Sequence, residues 1–295
     1  MSKVVAVVVT YNRKLLLKEC INSLLNQTKS LDIIIIDNAS TDGTENVVNN
    51  FINKNLKYFN TGKNLGGAGG FNYGIKKAVE LGYDFCWVMD DDTIPNKDAL
   101  EEMINMSKKL NNEFSFLSGI ALWTDGSLCK MNIQSISPNA IHNYKSFYKN
   151  TVELKSASFV SCFINMKYAR MAGYPITDFF IYGDDMEYTM RLTKYAPGYL
   201  NPYSIVVHKM ASNEGINIID VDKARIDRYY YNYRNLSYIY RKYDKKEYKK
   251  FKLKYYYMKF KILFKAKNNK FKRIRTISKG FRAGKKFNPV IEKDF

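Results

Sequence analysis

The sequence predicts an α/β fold, with a mostly parallel central sheet flanked by helices and a C-terminal helical basic extension. Val4–Thr10 and the isoleucines within Asp32–Asp37 form continuous β-branched or aliphatic runs, as expected for parallel strands covered on both faces. Between them, residues 13–26 carry apolar side chains at the three-to-four-residue spacing of a helix packed on a sheet. This strand-helix-strand order predicts right-handed parallel connections.

The positive charge of the chain is concentrated in its last quarter. The 295 residues have a formal net charge of +19. Residues 223–295 hold 25 Lys and Arg against 5 Asp and Glu, whereas residues 1–222 hold 22 against 23. This contrast predicts a boundary near Asp222, with one domain in residues 1–222 and a basic, aromatic-rich helical region in residues 223–295.

Cysteine spacing and hydropathy predict the compartment. Four widely separated cysteines match neither a disulfide framework nor a zinc pattern, which fits a reducing, cytoplasmic location. The apolar run after Met1 is too short for a secretory signal and is interpreted as the first strand. No stretch approaches the roughly 20 apolar residues of a membrane span, so any membrane contact is expected to be peripheral.

The most informative stretch is an apolar run that ends in three consecutive carboxylates, Asp90, Asp91 and Asp92. Residues 83–89 are predicted to form a buried strand, and the turn containing Pro95 is expected to stop the sheet. The triplet therefore lies at a strand's carboxyl end, where open α/β sheets bind ligands. Such carboxylates can hold Mn²⁺ or Mg²⁺, which in turn holds a diphosphate. The alternative is a solvated acidic turn that caps the next helix.

Two earlier segments are also candidate ligand contacts. Asp37 ends the second strand, where it can accept hydrogen bonds from a base or ribose, or form a turn. Residues 64–74 are glycine-rich before a helix predicted over residues 71–81. Their backbone can approach a ligand, and a helix N-terminus favours anions. The alternative role of these glycines is a flexible loop or tight packing of the helix on the sheet.

Four motifs, in order and spacing, carry a specific resemblance. They are Val7-Val8-Val9-Thr10-Tyr11-Asn12-Arg13, Ile36-Asp37-Asn38-Ala39-Ser40-Thr41-Asp42-Gly43-Thr44, Asn64-Leu65-Gly66-Gly67-Ala68-Gly69-Gly70-Phe71 and Met89-Asp90-Asp91-Asp92. Together they resemble family 2 glycosyltransferases, in particular the bacterial galactofuranosyl- and rhamnosyltransferases that build cell-surface polysaccharide. The resemblance implies a GT-A, Rossmann-like fold, a nucleotide-sugar donor, a divalent metal and inversion at the anomeric carbon.

The same resemblance implies roles for individual residues. Asp37 would face the uracil or thymine, Asp90 the ribose or metal side, and Asp92 would be a metal ligand. His208, which follows a β-branched run, would complete the metal site, although a histidine at a strand end is often structural. The residues expected to bind the donor are Thr10, Asn12, Arg13, Asp37, Asn64, Gly67, Asp90 and Asp91.

Downstream strands complete the predicted sheet. Residues 115–123 and 158–165 are expected to be strands, with a hairpin turn at Asp125-Gly126. Trp123 could stack on an acceptor sugar, or could belong to the core.

Inverting transfer requires a carboxylate that takes the proton of the attacking hydroxyl. In the resembled galactofuranosyltransferases an aromatic-x-Asp-Asp-x-Glu-like segment holds this base. The resemblance therefore implies that Asp184 is the catalytic base and Asp185 binds the acceptor. The alternative is an acidic N-cap arrangement of Asp184 with Glu187.

Residues 251–265 mix large apolar side chains with lysines too often for a membrane span. This pattern is typical of an interfacial helix on an anionic membrane. A solvated basic face and a nucleic-acid site are the alternatives. Nucleic acid is disfavoured because residues 1–222 carry no basic surplus.

The sequence thus predicts an inverting, metal-dependent transferase that moves galactofuranose from UDP-galactofuranose, or rhamnose from dTDP-rhamnose, to a lipid-linked glycan at the inner face of the membrane. A sugar nucleotidyltransferase should instead carry a glycine-rich phosphate loop where this chain has Tyr11-Asn12-Arg13. A non-catalytic membrane- or nucleic-acid-binding module would leave Asp90, Asp92 and Asp184 unexplained.

Overall fold

A computed structural model describes residues 2–51, 53–142, 151–215 and 217–293. The strands are β1 (Val4–Thr10), β2 (Asp32–Asp37), β3 (Leu56–Asn60), β4 (Phe85–Asp90), β5 (Thr93–Pro95), β6 (Phe116–Leu122), β7 (Ser135–Ile136), β8 (Val152–Ser156), β9 (Cys162–Asn165) and β10 (Gly198–His208). The helices are α1 (Lys14–Leu25), α2 (Thr44–Asn49), α3 (Gly66–Glu80), α4 (Ala99–Lys109), α5 (Pro138–His142), α6 (Met166–Ala172), α7 (Asp184–Leu192), α8 (Tyr229–Tyr243), α9 (Lys245–Lys265) and α10 (Lys270–Lys286).

The strands belong to one sheet in the order β3-β2-β1-β4-β9-β6-β10-β8-β7, and β5 pairs with β10. β1 runs parallel to both β2 and β4, and β2 runs parallel to β3. β9 lies antiparallel between β4 and β6, whereas β10 is parallel to β6. The predicted α/β class with a helix-flanked central sheet is confirmed.

Side chains of β1 alternate between two apolar cores, one on each face of the sheet. Val4, Ala6 and Val8 pack in one core, and Val5 and Val7 pack in the other. This alternation is the geometric property of a strand, and burial of both faces explains why β1 is apolar at every position.

The glycine-rich helix α3 begins at Gly66, so the predicted start at residue 71 is wrong. Ideal Cβ atoms at Gly70 and Gly74 would lie 2.5 and 2.3 Å from Val9 Cγ1 and Val7 Cγ1. These two glycines therefore serve the close approach of α3 to β1. The helix tolerates them because packing on the sheet outweighs their weak helix propensity.

Two further sequence predictions need correction. The segment containing Pro95 does not stop the sheet, because β5 pairs antiparallel with β10, with Pro95 opposite Val206. A proline is tolerated there since β5 is a short strand outside the main strand order. Residues 158–165 are a strand only from Cys162, because Phe159–Ser161 form a 3-10 turn.

The described residues divide into two compact units. The first holds the sheet and comprises the described residues within 1–177, 185–214 and 291–295; the second comprises the described residues within 178–184 and 215–290. In the second unit α8, α9 and α10 enclose a core that includes Tyr233, Phe251 and Phe281. Within the described part of the chain, none of the helices is both long and apolar enough to cross a membrane.

Candidate functional site

The carboxyl ends of three parallel strands bring predicted donor residues to one edge of the sheet. Thr10, the last residue of β1, pairs with Asp37 at the end of β2. On the other side of β1, Val9 pairs with Asp90 at the end of β4. The two turns that follow β1 and β4 therefore meet at the same edge.

Asp91, the middle carboxylate of the triplet, anchors residues of the β1–α1 turn. Its side chain is buried, and Oδ2 accepts a hydrogen bond from Thr10 Oγ1 at 2.7 Å. Arg13 Nη1 lies 3.3 Å from Asp91 Oδ1 and 2.7 Å from Asp92 Oδ2. About half of the Arg13 side chain stays exposed (51%), so part of its guanidinium is accessible to an anionic ligand.

His208 reaches the acidic triplet because β10 pairs with β5, directly after the triplet. In this register His208 lies opposite Thr93, and Lys209 N donates to Asp92 O at 2.8 Å. His208 Nε2 lies 3.0 Å from Asp92 Oδ1. Asp90, Asp92 and His208 each offer one ligand atom, and these three atoms lie within 4.8 Å of one another. The structure thus brings together the three residues predicted as metal ligands.

The crowding of these groups shifts their proton affinities. Burial, and then the charge of Asp92, raises the pKa of Asp90 to about 7. Burial raises the pKa of Asp91 to about 6, against the attraction of Arg13. Burial also acts to raise the pKa of Asp92, but the hydrogen bond and charge of protonated His208 outweigh it, and this pKa lies below its usual value. Asp92 is therefore ionised at neutral pH, and a bound cation would favour ionisation of Asp90.

Asn132 is a residue of this site that the sequence analysis missed. Its Oδ1 lies 2.8 Å from His208 Nδ1, and its Nδ2 donates to Ser158 Oγ at 3.1 Å. Because the Ser158 bond orients the amide, Oδ1 faces the ring and holds the proton on Nδ1. Asn132 lies in a short 3-10 turn, Lys130–Asn132, without a motif, so only the fold reveals its role.

A divalent cation fits the residues present here. Asp92 Oδ1 is buried and lacks a hydrogen-bond donor when neutral His208 carries its proton on Nδ1. In that form the Nε2 lone pair and this carboxylate oxygen face each other at 3.0 Å, which favours a positive charge between them. Two carboxylates and an imidazole also form a usual donor set for a divalent metal.

Removing the Asn132 side-chain acceptor is expected to weaken metal binding. Asn132→Leu leaves His208 Nδ1–H with only the weak acceptor Cys129 Sγ, 3.8 Å away. We expect about 10- to 100-fold weaker Mn²⁺ affinity by isothermal titration calorimetry. Asn213→Ala is the matched control, since Asn213 Nδ2 donates to Ser127 Oγ and Leu128 O, which follow the hairpin turn at Asp125-Gly126. Equal losses in both variants would mean that hairpin stability, rather than the orientation of His208, controls the affinity.

Asp37 and Asn12 hold the turns around the predicted base-binding side. Asp37 is buried, and its oxygens accept hydrogen bonds from Tyr58 Oη at 2.6 Å and Ser40 N at 2.9 Å. Asn12 Oδ1 accepts from Thr41 N at 2.7 Å. Asp37 and Asn12, both predicted to bind the nucleotide-sugar donor, therefore also shape the loop after β2. Their contact with a base stays a prediction.

The remaining predicted donor residues lie at the start of α3. Asn64 Oδ1 accepts from Gly66 N at 2.8 Å, which satisfies a backbone donor of the first helical turn. A Cβ atom at Gly67 would meet nothing within 4 Å, so its surroundings are open. Asn64 thus has a capping role, and Gly67 leaves room for a ligand.

Trp123 is half-buried after the end of β6. Its ring packs against the apolar core, and its Nε1 donates to Met210 O at 2.9 Å. The hairpin turn predicted at Asp125-Gly126 follows it, with Gly126 N donating to Trp123 O. The packing role of Trp123 is visible, and stacking on an acceptor sugar stays a prediction.

A network within the second unit fixes the loop that leads to Asp184. Asn235 of α8 is fully buried, and its Nδ2 lies within 3.1 Å of three carbonyl oxygens, those of Phe179, Ile181 and Tyr182. Arg234 Nε donates to Asn235 Oδ1 at 2.9 Å, which turns the amide donors toward the loop.

This loop holds backbone conformations that are costly for L-residues. Phe180 and Tyr182 have φ of 62° and 70°, followed by Gly183 at 81°. Left-handed non-glycine residues cost on the order of 1 kcal/mol each and persist only where surrounding contacts impose them. The hydrogen bonds of Asn235 supply such contacts.

The two adjacent carboxylates Asp184 and Asp185 begin α7. Asp184 is buried, and Asp185 Oδ1 accepts from Met186 N at 2.7 Å. Burial raises the pKa of Asp185 to about 6, opposed by this backbone hydrogen bond. Glu187, considered in the sequence as part of an N-cap, is fully buried and forms an ion pair with Arg191 at 3.0 Å.

Comparison with protein families gives a match over the first half of the chain. Residues 5–168 match the model "Glycosyl transferase family 2". The matched range contains β1 to β9 and both carboxylate ligands of the candidate metal site, and it ends before His208 and Asp184.

Similar curated proteins are bacterial glycosyltransferases. Abequosyltransferase RfbV of Salmonella typhimurium is 39% identical over 97 residues, covering 31% of this chain and 28% of the relative. Galactofuranosyltransferase GlfT1 of Mycolicibacterium smegmatis is 37% identical over 93 residues, 31% of this chain and 30% of the relative. A GalNAc(5)-diNAcBac-PP-undecaprenol beta-1,3-glucosyltransferase of Campylobacter jejuni is 33% identical over 135 residues, which cover 44% of this chain and 42% of the relative. Each match thus spans less than half of the relative.

Solved structures share the fold at low identity. S. aureus TarS 1-349 in complex with UDP-GlcNAc has a TM-score of 0.58 at 18% identity, covering 95% of this chain and 81% of that chain. GalNAc-T7 with UDP, GalNAc and Mn²⁺ has a TM-score of 0.65 at 14% identity, covering 93% of this chain and 54% of that chain. These likenesses concern the fold of the chain.

Proposed function

Because the chain belongs to glycosyl transferase family 2, we propose that it moves a sugar from a nucleotide-sugar donor to a hydroxyl of a lipid-linked glycan in polysaccharide biosynthesis. The observation that carries this proposal is the convergence of Asp90, Asp92 and His208 at the carboxyl edge of the sheet, beside Arg13. That arrangement suits a metal-bound diphosphate, as in other sheets that bind ligands at this edge.

UDP-galactofuranose is our preferred donor, with dTDP-rhamnose as the alternative. The galactofuranosyltransferase among the relatives and the sequence motifs support the first choice. The abequosyl- and glucosyltransferase relatives keep other sugars open to test. The lipid-linked acceptor is supported by the undecaprenol-linked substrate named for the Campylobacter jejuni relative. We propose that the reaction takes place at the inner face of the cell membrane.

In this proposal Asp90, Asp92 and His208 hold Mn²⁺ or Mg²⁺, with the imidazole favouring Mn²⁺ because Mg²⁺ prefers oxygen ligands. The bound ion would stabilise the negative charge of the leaving diphosphate. Arg13, held by Asp91 and Asp92, offers the exposed part of its guanidinium to the same phosphates. Asp37 accepts hydrogen bonds from the base.

Asp184 takes the proton of the acceptor hydroxyl as the hydroxyl oxygen attacks the anomeric carbon, and the bond to the diphosphate breaks with inversion. Asp185 orients the acceptor through a second hydrogen bond, with Trp123 as a candidate stacking surface. Asn235 acts as a positioning residue, because it fixes the loop that directly precedes Asp184.

A donor screen tests the proposed function. Purified protein is incubated with Mn²⁺ or Mg²⁺ and a panel of UDP-, dTDP- and GDP-sugars, and donor binding and slow donor hydrolysis are measured with and without EDTA. We expect metal-dependent selection of UDP-galactofuranose. Selection of dTDP-rhamnose would support the alternative donor, and a protein that binds none of the nucleotide sugars would contradict the proposal.

Converting Asn235 to Asp is expected to impair transfer more than donor binding. A carboxylate would face the carbonyl oxygens of Phe179, Ile181 and Tyr182 without a donor, so the loop before Asp184 should move. A displacement of about 1 Å at a catalytic group costs on the order of 10²-fold in rate. We therefore expect kcat to fall by about 10²-fold and the Kd of the nucleotide-sugar donor to stay nearly unchanged.

Asn232→Asp is the matched control, because Asn232 lies on the same helix and is not part of this network. Its kcat should stay near the wild-type value. If Asn235→Asp instead weakens donor binding as much as kcat, the effect is a general loss of structure and the positioning role is wrong.

A further inference from the structure

Helix α9 has two apolar faces on opposite sides. Phe251, Tyr255 and Ile262 are buried in the core of the second unit. At about 100° per residue, a second row at three-to-four-residue spacing lies on the opposite side of the helix. We name this row the outer stripe; it consists of Leu253, Tyr256, Tyr257, Phe260, Leu263 and Phe264.

The outer stripe is strongly exposed. Leu253 and Phe264 are 72% and 70% accessible, and the other members lie between 42% and 62%. Phe271, in the first turn of α10, is 83% accessible. From Leu253 to Phe264 the stripe extends about 16 Å along the helix axis. Single exposed apolar residues are common on protein surfaces, but a continuous stripe of this kind marks an interaction surface.

Lysines border the outer stripe on both sides. The helix contains nine lysines and a single acidic residue, Glu247. By the same helical geometry, Lys252 and Lys259 follow one edge of the stripe, and Lys250, Lys254 and Lys261 follow the other. The two apolar faces of α9 are therefore separated by two rows of positive charge.

We propose that the outer stripe seats the protein on an anionic lipid bilayer, with α9 lying parallel to the surface. Leu and Phe side chains would enter the boundary between headgroups and acyl chains, and the tyrosines would lie at headgroup level. Lysines on both edges would extend toward lipid phosphates while their methylene stems cover apolar surface. The excess of 25 Lys and Arg over 5 Asp and Glu in residues 223–295 matches the negative charge of such a surface.

Two other occupants fit the stripe less well. A second copy of α9 would place lysine rows against lysine rows, and the helix offers only Glu247 to oppose them. Nucleic acid would pair with the lysines, but leucine and phenylalanine at the centre of the stripe would gain little from a phosphate backbone. A lipid surface alone uses both the apolar centre and the charged edges.

The inference deepens the proposed function, since it names the surface that would bring the enzyme to a lipid-linked acceptor, and it rests on that function only for the identity of the acceptor. Vesicle binding itself can be measured without donor or acceptor. A protein that binds vesicles but none of the nucleotide sugars would leave this inference standing and contradict the proposed function.

Sedimentation of the full-length protein with lipid vesicles tests the outer stripe. One set of vesicles is phosphatidylcholine, and the other contains added phosphatidylglycerol. Wild type should bind the anionic vesicles, and the double variant Phe260→Ser/Phe264→Ser should bind at least about tenfold more weakly. The control Leu15→Ser/Ile133→Ser removes two side chains of the first unit that are 70% and 65% accessible, and it should bind like wild type.

A second pair of variants tests the charged edges. Lys254→Glu/Lys261→Glu should lose binding to the anionic vesicles, whereas Lys18→Glu/Lys109→Glu, with the same change of net charge in the first unit, should retain most of it. Because all substituted side chains lie at the surface, thermal melts should match wild type, and donor binding should be unchanged.

Three results would overturn the inference. The first is equal sedimentation of wild type and the stripe variant, and the second is equal binding of wild type to neutral and anionic vesicles. The third is a dimer in analytical ultracentrifugation that Phe260→Ser/Phe264→Ser abolishes, together with a wild-type protein that does not bind vesicles. The outer stripe would then bind a second copy of the chain.

Discussion

Asp184→Asn is expected to reduce sugar transfer by about 10²- to 10⁴-fold, because the amide cannot take the proton of the acceptor hydroxyl. The change keeps the size of the side chain at the start of α7, so the fold and the metal site should persist. Donor binding, measured by calorimetry with the nucleotide sugar and Mn²⁺, should stay within about twofold of wild type. Unchanged turnover would remove Asp184 as the base.

Asp185→Asn is the informative control, since its carboxylate is the neighbouring candidate. We expect a rise in the acceptor KM with a smaller loss of kcat. Burial raises the pKa of Asp185 to about 6, so this group is protonated below pH 6 and ionised above it. In wild type kcat/KM for the acceptor should therefore fall as the pH drops through 6, and at saturating Mn²⁺ this fall should be smaller in Asp185→Asn, because only the titration of Asp90 and Asp91 remains. The reverse result, with Asp185→Asn inactive and Asp184→Asn active, would exchange the two roles.

Asp92→Asn is expected to abolish metal binding and, with it, most of the transfer activity. Asp92 is the ligand whose pKa lies below its usual value, so it supplies a full negative charge at neutral pH. Loss of a metal that stabilises the leaving diphosphate costs several kcal/mol, which is on the order of 10³-fold in kcat/KM. Mn²⁺ affinity measured by calorimetry should fall by at least about 100-fold.

Asp91→Asn provides the matched substitution within the same triplet. Asp91 accepts from Thr10 and pairs with Arg13, and it is not in the ligand group of Asp90, Asp92 and His208. Its Mn²⁺ affinity should stay near the wild-type value. If Asp91→Asn loses the metal and Asp92→Asn keeps it, the assignment of the ligands is wrong.

Local patterns were enough to predict β1, β2 and β4, the strands that carry the candidate metal site and its surroundings. The bounds of β1 and β2 follow from continuous apolar runs, and the acidic triplet marks where β4 ends. These signals are readable because burial on both faces dictates the composition of a strand, residue by residue. The predicted start of α3 was wrong for the opposite reason. Gly70 and Gly74 are required because Val9 and Val7 of β1 leave no room for a Cβ atom, and this contact cannot be read from helix propensity.

Contacts between distant segments could not be predicted in the same way. Asn132 has ordinary neighbours in the sequence. The importance of both Asn132 and Asn235 comes from the partners that folding brings to them, His208 and the loop before Asp184. The sequence also did not indicate that residues 178–184 belong to the same compact unit as residues 215–290.

The sequence by itself determined the family motifs, the alternation of strands and helices at the start of the chain, the acidic triplet and the basic character of residues 223–295. The tertiary structure decided that His208 meets Asp92 through the pairing of β5 with β10. It also decided which apolar face of α9 is buried, since helical periodicity alone is the same for Phe251, Tyr255 and Ile262 as for the outer stripe. The physical reason is that composition and spacing record burial within one element, whereas partners are selected only when packing brings elements together.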